Sequence, residues 1–83
     1  MLSSQDLGDR LRAVNQIRNL EPAIGFELAQ SAVTDSNARV RYSAVSLFDT
    51  FGKEDLDASL NILRDRLLND PEPDVQAAAA DCL

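Results

Sequence analysis

Residues 35–52, DSNARVRYSAVSLFDTFG, contain the start, body and stop signals of one helix, and the sequence on either side repeats their pattern. Asp35 has the short acceptor side chain suited to an N-cap, and Gly52 can take the left-handed conformation that closes a last turn. Between them Val40, Ala44, Leu47, Phe48 and Phe51 recur at helical spacing and form one apolar stripe.

Upstream, Ser3 or Ser4 is expected to cap an earlier helix over residues 4–20, with Asp6 and Asp9 at its positive pole and Ala13, Val14, Ile17 and Leu20 following. Pro22 then opens the next helix, because proline fits a first helical position and not an interior one. That helix, 22–33, carries Gly25, which either weakens it or admits a close neighbour. Downstream, Leu56, Leu60, Leu63, Leu67 and Leu68 give an amphipathic helix over 54–69. The corner Asn69-Asp70-Pro71-Glu72-Pro73-Asp74 follows, with Asp70 expected to cap a last helix from about Pro71 to Leu83. No alternating strand pattern competes. The chain is predicted to be all-α, with about five helices.

Sliding the sequence on itself exposes an internal repeat. At a shift of 35, Leu28, Ala32, Val33, Asp35, Val40, Ala44, Val45 and Phe48 fall on Leu63, Leu67, Leu68, Asp70, Val75, Ala79, Ala80 and Leu83. A shift of 31 brings Arg10, Ala13, Val14, Ile17 and Leu20 onto Arg41, Ala44, Val45, Phe48 and Phe51. A helical hairpin cannot bury its apolar face alone, so repeated hairpins stack into an α-solenoid of antiparallel helix pairs. Outer helices (22–33, 54–69) alternate with inner ones (4–20, 36–51, 71–83). Ala44 is expected at a close helix contact.

The pattern Asp35, Val40, Arg41, Ala44, Phe48, and again Asp70, Val75, Ala79, Leu83, resembles HEAT repeats, particularly the short kind found in phycobilisome lyase-like HEAT proteins. The resemblance spans nearly the whole chain and implies an Asp and Arg ladder between neighbouring repeats. Gln76 replaces the Arg of the motif, and Ser4 stands where the first repeat would carry its Asp. The ladder is therefore expected to be complete only around Asp35 and Arg41.

The 83 residues suffice for one small domain. No histidine is present and the lone cysteine, Cys82, has acidic neighbours, so the sequence shows neither a catalytic constellation nor a zinc set. No cofactor is expected. The net charge of -6 argues against nucleic acid, no apolar run is long enough to cross a membrane, and the N-terminus lacks a secretory pattern; the cytoplasm is the expected location. The charge is uneven. Residues 1–48 balance five arginines against five acids, while residues 49–83 carry nine acids and three bases, so a basic partner surface would be steered to the second half.

Tyr42 lies off the apolar stripe, on one face with Ser46 and Asp49. The repeat shift carries that face through Leu11, Asn15 and Arg18 on one side and Ala77 and Asp81 on the other. Inner helices line the concave surface of a solenoid, so Asn15, Arg18, Tyr42, Ser46 and Asp49 are the expected partner-binding residues. The function expected is that of a protein-binding scaffold. The lyase-like resemblance implies an alternative: a bilin-handling or phycobilisome-turnover factor with a phycobiliprotein as partner. Finally, the fifth helix ends in AAAADCL without a stop signal. That predicts the N-terminal portion of a longer solenoid and self-association through the C-terminal end, with Cys82 near the contact.

Overall fold

In the computed structural model, which describes residues 5–83, every regular element is helical. Helix α1 (Leu7–Gln16) runs into a 3-10 turn (Ile17–Asn19), and α2 (Pro22–Ala32) has Pro22 in its first turn. Helix α3 (Ala38–Ser46) is followed after Leu47 by the short α4 (Phe48–Phe51) and a 3-10 turn (Gly52–Glu54). Helices α5 (Leu56–Asn69) and α6 (Pro73–Cys82) complete the chain. Leu47 keeps right-handed helical dihedrals, and its N–H is shared between the Ser43 and Ala44 carbonyls. The expected helix 36–51 is thus one arm with a tightened turn near its end, and the arms among the described residues number five.

Helices α1, α3 and α6 lie side by side as an inner layer, with α3 in the middle. The outer layer is α2, packed on α3 and α4, and α5, packed on α6. The Cα extents of 29 × 29 × 15 Å fit such a slab, since packed helix axes lie about 8–10 Å apart. Between the layers lie Val14, Ile17, Ala29, Val40, Ala44, Val45, Leu47, Phe51, Val75 and Ala79, all essentially without solvent contact. The stripe read from residues 35–52 is therefore the core face. Phe26 and Phe48 meet edge to face at 5.8 Å between ring centroids, an arrangement favoured by the aromatic quadrupole.

Gly25 serves close approach. A Cβ built there would lie 2.5 Å from the Phe51 ring, so only a bare backbone lets α2 press onto that side chain. Gly52 does not play its expected part, because its dihedrals are right-handed (φ -59°, ψ -27°). Instead of stopping in the left-handed region, the chain tightens into a 3-10 turn, and the buried Ser59 hydroxyl donates to the Gly52 carbonyl at 2.8 Å. A side chain from α5 thereby satisfies the Gly52 carbonyl where the helical arm ends.

The helix caps also depart from the sequence reading. Asp6 caps α1, accepting from the Gly8 N–H at 2.8 Å; Ser3 and Ser4 lie outside the described residues. Asn37, not Asp35, caps α3 by accepting from the Arg39 N–H at 2.9 Å. For α6 the cap position is Glu72, with no side-chain bond, and the helix starts at Pro73 rather than Pro71.

Asp35 and Asp70 are used one step earlier. Each closes the corner turn by accepting from the amide two residues on, Asn37 at 2.8 Å and Glu72 at 2.9 Å. Each then receives a fork-like pair of bonds from the arginine of the preceding inner helix. Arg10 reaches Asp35 at 2.9 and 3.3 Å, and Arg41 reaches Asp70 at 2.8 and 3.3 Å, through the same atoms in both cases. The ladder therefore has two rungs among the described residues, extending beyond Asp35 and Arg41. Arg41 also donates to the Asp35 and Ser36 carbonyls at 2.9 and 3.1 Å, tying its own corner to the next. Gln76 keeps half of this role: its amide donates to the Asp70 carbonyl at 2.8 Å. Arg66 adds a second cation to Asp70 at 3.1 Å and reaches the Val33 carbonyl at the end of α2.

The two sides of the stack differ. Val33, Val45 and Phe48 are at most 5% exposed, whereas their repeat mates Leu68, Ala80 and Leu83 are exposed, Leu68 to 68%. On the other side, the positions of buried Val40 and Leu47 are held in α1 by Asp9 and Gln16, which meet water. The α1 side is polar and the α5/α6 side apolar.

Candidate functional site

A groove of about 480 Å³ crosses the inner layer where α1, α3 and the start of α6 adjoin. Leu11 and Asn15 of α1 form one wall, Ala38, Arg39, Tyr42 and Ser43 of α3 the floor, and Glu72 and Asp74 the other wall. The repeat explains why Tyr42 stands outside the core and Leu11 only at its edge. Val14 and Val45, and Val40 and Val75, take the inward positions, so Leu11 and Tyr42, which share a register, point to the inner surface. Tyr42 is 47% exposed.

Two of the five residues expected on the binding face, Asn15 and Tyr42, line this groove. The other three lie elsewhere. Arg18 is exposed on the 3-10 turn after α1. Ser46 is half-buried, and its hydroxyl donates to the Tyr42 carbonyl one turn back at 3.0 Å. Asp49 is exposed on α4, beside Cys82. Arg39, Glu72 and Asp74 were missed as groove residues. Arg39 precedes Tyr42 by three positions, the signal that could have found it. Nothing in the local sequence distinguishes Glu72 and Asp74 from the polar residues of any proline-rich corner.

The candidate chemical groups are committed to structure. Asp35 and Asp70 bind arginines, and Asp70 is 2% exposed. Burial alone would favour its neutral form, but the Arg41 hydrogen bonds, the Glu72 amide and the nearby Arg41 and Arg66 charges hold its carboxyl below the usual carboxylate range. Cys82 faces inward, its thiol 3.5 Å from the Val45 carbonyl, so it is not turned toward the apolar outer side where a contact was expected. Burial, followed by the charge and hydrogen bonding of Asp49 and the charge of Asp81, pushes this thiol up to about 11. A thiol so protonated is a poor nucleophile at neutral pH. Among the described residues no helix is long and apolar enough to cross a membrane.

Two helix layers, built from hairpins repeated at a near-constant period and cross-linked by equivalent Arg–Asp rungs, define an α-solenoid. A family model for HEAT repeats matches residues 1–83, and the chain belongs to the HEAT-repeat family. Such repeats generally serve as protein-interaction scaffolds. Compared with the curated proteins and with the solved structures, the chain matches none.

Proposed function

We propose that this protein is a binding scaffold that holds another protein on its inner-helix face, with Asn15 and Tyr42 at the centre and Arg18, Ser46 and Asp49 along the margin. The observation that carries this reading is the half-exposed Tyr42 ring on the floor of a groove walled by two other helices. Tyrosine offers a large apolar surface and one polar handle at little conformational cost, which suits it to protein contact. Binding of this kind asks for no chemistry of the scaffold.

The test is the affinity of a partner captured on the intact chain, measured for the wild type and Tyr42→Ala. Truncating an aromatic anchor should weaken binding roughly tenfold or more, about 1.4 kcal/mol, with an unchanged circular dichroism spectrum. Unchanged affinity would move the site off this face. The pigment-handling alternative rests on the lyase-like resemblance of Asp35, Val40, Arg41, Ala44 and Phe48, residues that serve the core and the ladder. Mixing the protein with free bilin and with phycobiliprotein separates the two. A visible absorption shift with bilin alone would favour pigment handling, and binding to phycobiliprotein without a shift would favour the scaffold.

A further inference from the structure

The geometry points to the kind of partner segment the groove takes: an extended stretch of polypeptide with an apolar side chain close to a lysine or arginine. This deepens the scaffold reading and rests on it. The apolar element of the groove is the pair Leu11 and Tyr42, neighbours across α1 and α3. Beside it stand Glu72 and Asp74, both exposed, and the ion pairs of the described residues include neither. The two ladder acids, by contrast, are paired: Asp35 with Arg10, and Asp70 with Arg41 and Arg66. Glu72 and Asp74 stand open to a visitor's cation.

The long-range field agrees in sign. The chain carries a net charge of -6, all of it contributed by residues 49–83, so a cation is drawn to the α6 wall of the groove and an anion is repelled. The α3 floor reaches only from Ala38 to Ser43, less than two helical turns, which suits a short extended segment better than a helix laid along it. Such a segment leaves its backbone groups unpaired. Asn15 offers two donors and an acceptor for them, and Arg39, in none of the ion pairs among the described residues, offers further donors. The volume of about 480 Å³ lies within the range of roughly 300–1,000 Å³ typical of ligand pockets, enough for a short run of side chains.

A library of random linear peptides displayed on phage, selected against the intact 83-residue chain, tests the inference. The expected enrichment is for Lys or Arg within a few positions of an aromatic or aliphatic residue. A synthetic peptide of that kind should lose binding with Tyr42→Ala, weaken roughly tenfold with Glu72→Lys/Asp74→Lys, and weaken as salt is raised. The milder pair Glu72→Gln/Asp74→Asn, checked by circular dichroism, should weaken it in the same direction if the charge-reversed chain folds poorly. Selection against the charge-reversed chain should turn the enrichment toward Asp and Glu. Tyr42-dependent peptides with no preference for Lys or Arg would overturn the inference and leave the scaffold reading standing. Enriched peptides that bind Tyr42→Ala as well as wild type, or no enrichment at all, would overturn both.

Discussion

Replacing Asp70 by alanine should cost this protein a large part of its stability. A domain of 83 residues has roughly 4–12 kcal/mol to lose, at about 0.05–0.15 kcal/mol per residue. Asp70 is buried and accepts two bonds from Arg41, one from Arg66 and one from the Glu72 amide. Its removal leaves the guanidinium of Arg41, itself 8% exposed, without a counter-ion, and stranding one partner of a buried ion pair typically costs about 3–5 kcal/mol. Asp70→Asn keeps an acceptor for the Glu72 amide and should recover about 1 kcal/mol of that loss. Arg41→Met combined with Asp70→Leu should be far less damaging than Asp70→Ala, because no charge is then stranded.

Urea unfolding followed by far-ultraviolet circular dichroism measures all three, and the midpoint for Asp70→Ala should fall by roughly 1 M or more. Acid weakens the same contact. A carboxyl held below its ordinary value of about 3.9 stabilises the fold fully above that pH, and the contribution fades as pH falls through the native value. The gap between wild type and Asp70→Asn should therefore hold from neutral pH to about pH 4 and shrink as the pH is lowered further. An Asp70→Ala protein within about 1 kcal/mol of wild type, at neutral pH, would refute the reasoning.

The two buried glycines should respond with opposite signs. Gly52→Ala meets only ordinary contacts at 3.5 Å or more in a right-handed conformation and should stabilise by about 0.4–1 kcal/mol, whereas Gly25→Ala drives into the Phe51 ring and should destabilise by up to about 2 kcal/mol after the helix-propensity gain; thermal melts of both check this. Cys82 should react with iodoacetamide at neutral pH roughly two orders of magnitude more slowly than free cysteine, the difference vanishing in urea, and equal native and unfolded rates would contradict its assignment. The chain should self-associate through the exposed Leu68, Ala80 and Leu83 of the α5/α6 side, more strongly in high salt that screens the acidic residues around them. Sedimentation of wild type and Leu68→Glu over a concentration series reads this out; a strict monomer in both would sink it.

The repeat made most of the architecture legible, because Ala44 and Ala79, or Val40 and Val75, can occupy equivalent core positions only if their hairpins stack alike. What failed were readings that assigned each polar residue to its nearest helix end. Asp35 and Asp70 look like N-caps in isolation, but their partners lie 25 and 29 residues back, on the neighbouring inner helix. Gly52 failed for a similar reason: the chain continues right-handed into a 3-10 turn, and the Gly52 carbonyl is held by Ser59, seven residues on. At the candidate site, Asn15 and Tyr42 came from the repeat register. Arg18, Ser46 and Asp49 follow the same projection, but Arg18 sits on the 3-10 turn after α1, Asp49 follows the tightened turn at Leu47, and the Ser46 hydroxyl is turned back onto the Tyr42 carbonyl. Glu72 and Asp74 face the groove only because α6 begins beside α3, which a corner motif does not reveal.

Partners are expected on the inner-helix surface and not on the outer layer. Backbone amide shifts of the isotope-labelled 83-residue chain, followed by NMR during titration with a peptide from the display selection, test this most directly. The shifts should concentrate at Leu11, Asn15, Arg39, Tyr42, Ser43 and Asp74, leaving Ile24, Gln30, Leu60 and Arg64 of the outer helices still. Shifts confined to α2 and α5, with Tyr42 unmoved, would contradict it.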